Sequence, residues 1–234
     1  MNSVTAITEK LSAIKARIKK AALSAGRNPE EIKLIAVTKT VGLEKMAEAV
    51  RAGVVILGEN RVQEAQKKVK NEELRVKSEK IQWHLIGHLQ GNKAKNAVQL
   101  FDLIHSIDSA GLAEEVNRQA EKINKVQRVL VEVKLSEEET KHGVSENNLR
   151  PLLEKINNLR NLKLEGLMTM PPFFDDPERA RPYFNRLRKL RDEAVKSGFS
   201  LPELSMGMSN DFEVAIEEGA TMVRIGTAIF GNGL

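Results

Sequence analysis

Residues 31–40 read Glu31-Ile32-Lys33-Leu34-Ile35-Ala36-Val37-Thr38-Lys39-Thr40. Ile32, Leu34, Ile35, Ala36 and Val37 form a short, largely β-branched apolar run, too brief for a helix and uninterrupted enough for a strand covered on both faces. Lys39 follows at its carboxyl end. An amine placed there is desolvated on one side and open to a pocket on the other, which is how a protein makes a lysine nucleophilic. Lys39 is thereby a candidate Schiff-base lysine; the plain alternative is a strand-end lysine snorkelling into water.

Runs of the same kind recur outward from this strand. The apolar stretches 54–57, 81–86, 101–107, 126–135, 162–168, 201–206 and 221–225 are each separated from the next by a helical pattern or a helix-length segment. With the Lys39 strand they make eight. Leu43, Met46, Ala47 and Val50 mark the helix after the first strand, ending at Gly53. Asp176-Pro177 supplies a cap and a first-turn proline for the helix before the seventh, which buries Ala180, Phe184, Leu187, Leu190 and Ala194. Ahead of the first strand, Asn28-Pro29-Glu30-Glu31 signals a short helical turn. Earlier still, Val4, Ile7, Leu11, Ile14, Ile18 and Ala21 recur at three- and four-residue steps and predict an extra N-terminal helix fit to cover one flank of the domain.

Eight short strands alternating with helices predict parallel βαβ units, and closure into a (β/α)8 TIM-type barrel satisfies the edges that an open sheet exposes. A doubly wound open sheet is the second choice, because periodicity counts strands without showing closure. No G-x-G-x-x-G follows an early strand, so the dinucleotide form of that alternative lacks its signature.

Composition sets the remaining bounds. The 234 residues, 41% apolar and 29% charged, suffice for one core and predict a single domain over 1–234. Cysteine is absent, which removes disulfides and thiolate metal sites. No apolar run reaches membrane-spanning length and the first thirty residues lack a secretory core, so the expected protein is cytoplasmic with no membrane partner. The net charge of +5 invites nucleic acid. The basic clusters, however, are Lys67, Lys68 and Lys70 with Arg75, Lys77 and Lys80, then Arg186, Arg188, Lys189 and Arg191, interleaved with acidic residues in helical patterns. They read as solvated helix faces without an aromatic stacking platform, and no nucleic-acid partner is expected.

In a barrel the chemistry belongs at the carboxyl ends of the strands. Those ends carry Lys39, Glu59 and Asn60, His84 to His88, Ser106 with Asp108, Lys134, Met168 to Met170, Ser205 to Ser209, and Arg224 to Thr227. Closure sets strand eight beside strand one, bringing Arg224, Gly226 and Thr227 to Lys39. Phosphate sites of this fold lie after strands seven and eight. Ser205-Met206-Gly207-Met208-Ser209 and Gly226-Thr227 fit such a site, since glycine admits close backbone N–H groups and hydroxyls add donors. Ser209 also reads as a helix cap, a role compatible with holding phosphate. A lysine amine beside a phosphate cup describes a site for pyridoxal 5'-phosphate (PLP). Arg224, in an apolar strand, needs a neighbour; a structural pairing with Glu132 or Glu165 is the alternative to a cofactor role. His84 and His88 lie on a strand entering a glycine turn, too far apart for one ion, so no metal is expected. His105 and Asp108 are read as shaping the loop after strand four.

The ordered segments Ala36-Val37-Thr38-Lys39, Gly58-Glu59-Asn60-x-x-Gln63-Glu64, Trp83-His84-x-Ile86-Gly87-x-Leu89-Gln90-x-Asn92-Lys93, His105-Ser106-Ile107-Asp108, Gly166-Leu167-Met168, Leu204-Ser205-Met206-Gly207-Met208-Ser209 and 222–231 run through nearly the whole chain. Together they resemble the motif set of the YggS/PROSC family of pyridoxal phosphate homeostasis proteins. The resemblance implies a fold-type III barrel like the N-terminal domain of alanine racemases, with PLP carried as an aldimine on Lys39. It implies that Ser205, Ser209, Gly226 and Thr227 hold the phosphate, that Asn60 and Met168 line the ring, and that Arg224 meets the pyridine nitrogen. Position 88 varies in that family, so no role passes to His88. The implied role is buffering PLP or delivering it to recipient PLP-dependent apoenzymes, as a monomer and without a catalytic residue of its own. An amino-acid racemase is the alternative. That reaction needs a second base, a tyrosine which racemases take from an additional C-terminal domain of the partner subunit; this sequence ends at Leu234, and its one tyrosine, Tyr183, reads as a helix-face packing residue.

Overall fold

The computed structural model describes residues 6–70, 81–136, 138 and 142–231. Val4 and the basic residues Arg75, Lys77 and Lys80 lie outside them. Strands β1 (Lys33–Val37), β2 (Ile56–Glu59), β3 (Gln82–Leu85), β4 (Leu103–Ile107), β5 (Gln127–Glu132), β6 (Leu162–Met168), β7 (Glu203–Met208) and β8 (Met222–Ile225) are parallel and pair in chain order. The ring closes with β8 on β1, where Ile35 lies opposite Arg224 and Ala36 opposite Ile225. Closure gives every strand two partners and rules out the open-sheet alternative.

Helices α1 (Ala6–Ser24), α2 (Leu43–Arg51), α3 (Val62–Val69), α4 (Ala94–Leu100), α5 (Ala110–Glu121), α6 (Glu146–Asn157), α7 (Arg181–Lys196), α8 (Phe212–Glu217) and α9 (Thr227–Phe230) surround the barrel. The extra N-terminal helix α1 buries Ile7, Leu11, Ile14 and Ile18 on the flank made by α8 and α9. Arg17 pairs with Glu213 at 2.6 Å and lies over the Phe212 ring, and Arg27 donates to the carbonyls of Ile216 and Ala220. Among the described residues no helix is long and apolar enough to cross a membrane.

Two apolar layers hold the fold. The larger lies between strands and helices; a smaller one of Ile35, Ile56, Leu103, Leu130, Met168 and Met222 fills the barrel interior. Some boundaries differ from expectation. β2 begins at Ile56, with Val55 exposed just ahead of it, and β7 runs from Glu203 to Met208, two residues later than predicted. The Asp176-Pro177 start is a 3-10 turn, with the Asp176 carboxylate accepting from the Glu178 N–H, and α7 proper begins at Arg181.

Candidate functional site

β1 ends at Val37, Thr38 is fully buried, and Lys39 is exposed at the top of a turn whose Thr40 takes a φ of 59°. The expected half-desolvated amine is therefore corrected: the side chain of Lys39 is exposed, and what is held is the chain on each side of it, at buried Thr38 and exposed Thr40. The Thr38 hydroxyl donates to Glu59 Oε1 at 2.5 Å, and the Thr40 N–H donates to Glu64 Oε1 at 2.7 Å. Lys68 ties the two carboxylates together. Its Nζ donates to Glu59 at 2.8 Å, to Glu64 at 2.6 Å and to the Thr38 carbonyl at 2.6 Å. Lys68 is 8% exposed, so this member of the first basic cluster is an inward clamp and not a solvated face. Burial raises the Glu59 pKa against the hydrogen bonds from Lys68 and Thr38 that lower it.

Across the β1–β8 seam, Lys39 shares a cavity of about 370 Å³ with Gly226, Thr227 and Val37. A Cβ on Gly226 would stand 3.3 Å from Val37 Cβ, so glycine keeps the β8 turn against β1. Ser209 reaches the same turn, its hydroxyl accepting from the Ala228 N–H at 3.3 Å. The loop carrying Ser209 is set by Asp211, which accepts from the Met208 N–H at 2.6 Å. It is also set by Gly207, where a φ of 92° and a Cβ position 2.6 Å from Ala215 Cβ leave room for no side chain.

Below this turn lies a buried polar layer. Arg224, 3% exposed, donates from Nη1 to Ser205 Oγ at 2.7 Å and from Nη2 to the Thr169 carbonyl at 2.9 Å. Ser205 Oγ lies 2.9 Å from His105 Nδ1, His105 Nε2 lies 3.0 Å from His84 Nδ1, and His84 Nε2 lies 3.4 Å from Gln82 Oε1. β7 and β4 are not neighbours in the ring, so the Ser205–His105 bond crosses the barrel interior. Arg224 only donates and Gln82 Oε1 only accepts. The chain therefore runs one way, Ser205 to His105 Nδ1, His105 Nε2–H to His84, and His84 Nε2–H to Gln82, with both imidazoles neutral. Burial agrees: it holds His84 down to about 3 and His105 well below its ordinary 6.5. Burial also lowers the Arg224 guanidinium to about 10, while Glu132 and Asp211 oppose the shift, leaving it charged at neutral pH.

Several expectations are corrected here. Glu165 pairs with Arg128 and Lys163, not with Arg224. His105 belongs to the barrel core and not to a loop. Ser205, fully buried, is committed to Arg224 and His105, whereas Ser209 stands at the β8 turn. Met168 is fully buried in the inner apolar layer, and Met170, two residues on, lines a second cavity of about 610 Å³ with Asn60, Gln63, His88, Gln90 and Lys93. Gly87 closes against Asn60 there; a Cβ would fall 2.4 Å from the Asn60 carbonyl oxygen. A cavity of about 540 Å³ at the opposite end, between α1 and the amino ends of β1 and β2, holds none of the candidate residues and lies on the face that serves stability in this fold.

Comparison with known proteins agrees with this fold. The family described as alanine racemase, N-terminal domain, matches residues 10–233. A pyridoxal phosphate homeostasis protein of Aquifex aeolicus (strain VF5) is 50% identical over 225 residues, covering 96% of this chain and 97% of that protein. The structure of PipY from Synechococcus elongatus PCC7942 with PLP bound superposes with a TM-score of 0.85 at 36% identity, covering 96% of this chain and 100% of that one. An alanine racemase of Clostridium difficile 630 shares the fold, with a TM-score of 0.73 at 17% identity over 95% of this chain and 56% of that one. By its match over 10–233 and its half-identity to a relative of the same length, the chain belongs to the alanine racemase N-terminal domain family and, within it, to the pyridoxal phosphate homeostasis proteins.

Proposed function

We propose that this chain binds PLP through a Schiff base on Lys39 and serves PLP homeostasis, buffering the cofactor or delivering it to recipient PLP-dependent apoenzymes as a cytoplasmic, single-domain monomer. The cavity shared by Lys39, Gly226 and Thr227 carries the reading. The donor set fits the group: a primary amine for an aldehyde, the Thr227 and Ser209 hydroxyls at a glycine turn for a phosphate, and a fixed guanidinium for a pyridine nitrogen. Asn60 flanks the ring in this reading, with Met168 packed in the apolar layer beneath the site, and Ser205 orients Arg224 instead of touching phosphate. When bound, the cofactor supplies an aldehyde that condenses with an amine, releasing water, and a ring that draws electrons from the new bond.

The chain's own residues restrain that chemistry. The Glu59–Lys68–Glu64 clamp fixes the Lys39 backbone and leaves the amine free to exchange. Arg224 has no acceptor and leaves a ring nitrogen unprotonated, a weak electron sink. Tyr183 sits on α7 with its ring 5.9 Å from Phe174, in keeping with a packing role. These features favour a carrier over a racemase.

Borohydride reduction of the PLP-treated protein followed by peptide mass spectrometry is expected to place the adduct on Lys39. An adduct on Lys93 or Lys134 instead would refute the assignment. Incubation of the loaded protein with L- and D-alanine in deuterated water is expected to give slow exchange without inversion. Inversion at about 1 per second or faster would restore the racemase.

A further inference from the structure

We propose that His88, Asp108 and His142 form a site for a divalent transition metal of the borderline class that includes zinc, cobalt and nickel. Each residue offers one ligand atom, and the three atoms lie within 4.8 Å of one another. His88 Nδ1 stands 3.4 Å from Asp108 Oδ2. Two ligands at about 2.0–2.1 Å from a tetrahedral ion are separated by roughly 3.3–3.4 Å, so this pair already has the required spacing. The His142 ring stacks on His88 with centroids 3.8 Å apart and planes 11° off parallel, so its nitrogen is already at the site and becomes the third ligand once the ring turns out of the stack about its side-chain torsions.

The three backbones are anchored independently of any ion. His88 follows Gly87, which is packed on Asn60 and whose carbonyl accepts from the Ser106 hydroxyl at 2.7 Å. Asp108 directly follows β4. His142 precedes Gly143 and Val144, and Val144 is bonded to the end of β5 through the Glu132 carbonyl at 2.8 Å and the Lys134 N–H at 2.9 Å. Gly143 is required there, since a Cβ would fall 2.6 Å from the Lys134 nitrogen. The ligands thus come from the carboxyl ends of three consecutive strands.

Imidazole usage strengthens the case. The chain has four histidines and no cysteine. His84 and His105 are sealed in the barrel core, so both accessible imidazoles meet at this one place. An ion pair with Asp108 needs one imidazole. A second ring stacked on it brings a further nitrogen ligand to the same place. Two histidines and one carboxylate leave coordination positions for water or for a small carboxylate, and His88 opens onto the cavity that contains Asn60 and Met170. None of the three residues lines the cavity that holds Lys39, and the site does not depend on the PLP reading.

The test uses tag-free protein stripped with chelator, without added PLP, titrated with zinc by calorimetry and with cobalt by visible absorption. The expected result is one equivalent of zinc and a tetrahedral cobalt spectrum. His88→Ala, His142→Ala and Asp108→Asn should each lower affinity at least about tenfold, with melting temperature unchanged, and Lys39→Ala should leave binding intact. Saturation only at millimolar metal would overturn the proposal, as would affinity indifferent to His88→Ala and His142→Ala, or binding lost with Lys39→Ala.

Discussion

Two cations define the proposed cofactor site, and the molecule holds them in opposite ways. Lys39 is exposed, and what is fixed is its backbone, through buried Glu59 and Lys68 and half-buried Glu64 acting on Thr38 and Thr40. Arg224 is buried, and what is fixed is its guanidinium, through Ser205 and two neutral histidines. An amine that must exchange partners needs a free side chain on a rigid support. A guanidinium that serves as a fixed donor needs its own rotamer locked, and neutral partners lock it without competing for its charge.

The sharpest break in this contrast is the charged clamp. Lys68→Met leaves Glu59 buried without its cation, and stability is expected to fall by about 3–5 kcal/mol in urea unfolding. A loss below about 1 kcal/mol would mean that Lys68 is a surface lysine after all.

The neutral layer is tested by acid. In the unfolded chain His84 and His105 take up protons as pH falls through about 6.5, whereas in the fold burial holds His84 down to about 3 and His105 well below 6.5. Stability is therefore whole above that range and is lost between about 6.5 and 3, by up to about 2.7 kcal/mol per pH unit for the pair. Glu59, pushed up by burial, acts in the opposite sense and cannot produce such a loss. Urea midpoints that stay flat from pH 7 to pH 5 would contradict the neutral chain, and His84→Gln should remove about half of the slope.

Smaller effects separate the two turns. Thr227→Val deletes a hydroxyl with little change of shape. It is expected to weaken PLP by about 1–3 kcal/mol and to leave unphosphorylated pyridoxal nearly unaffected, as read by equilibrium titration of each ligand. Equal losses would remove Thr227 from the phosphate. Smallest of all in stability, Lys39→Ala should change unfolding free energy by no more than about 0.5 kcal/mol while abolishing covalent PLP capture. A large loss would show that the side chain, and not only its backbone, belongs to the clamp.

The number and order of strands were legible in the sequence because each is a short apolar run bounded by breakers. The neighbourhood of Lys39, Gly226 and Thr227 followed once closure was assumed, and the structure pairs β8 with β1 as that requires. What the sequence could not show is which polar residues face the barrel interior. In a strand covered on both faces the alternation is masked, since Trp83 and Leu85 pack outward under helices while His84 between them points inward to His105. Ser205 read as a phosphate donor, and Lys68 as a solvated cation, because their partners, Arg224 with His105 and Glu59 with Thr38, come from other strands. The repeat of apolar runs along the chain determined eight parallel strands alternating with helices, and the β8–β1 pairing that closes them into a barrel was decided in the tertiary structure. Tertiary structure alone decided which buried polar groups satisfy one another, because a hydrogen bond across the barrel joins residues that no local pattern brings together.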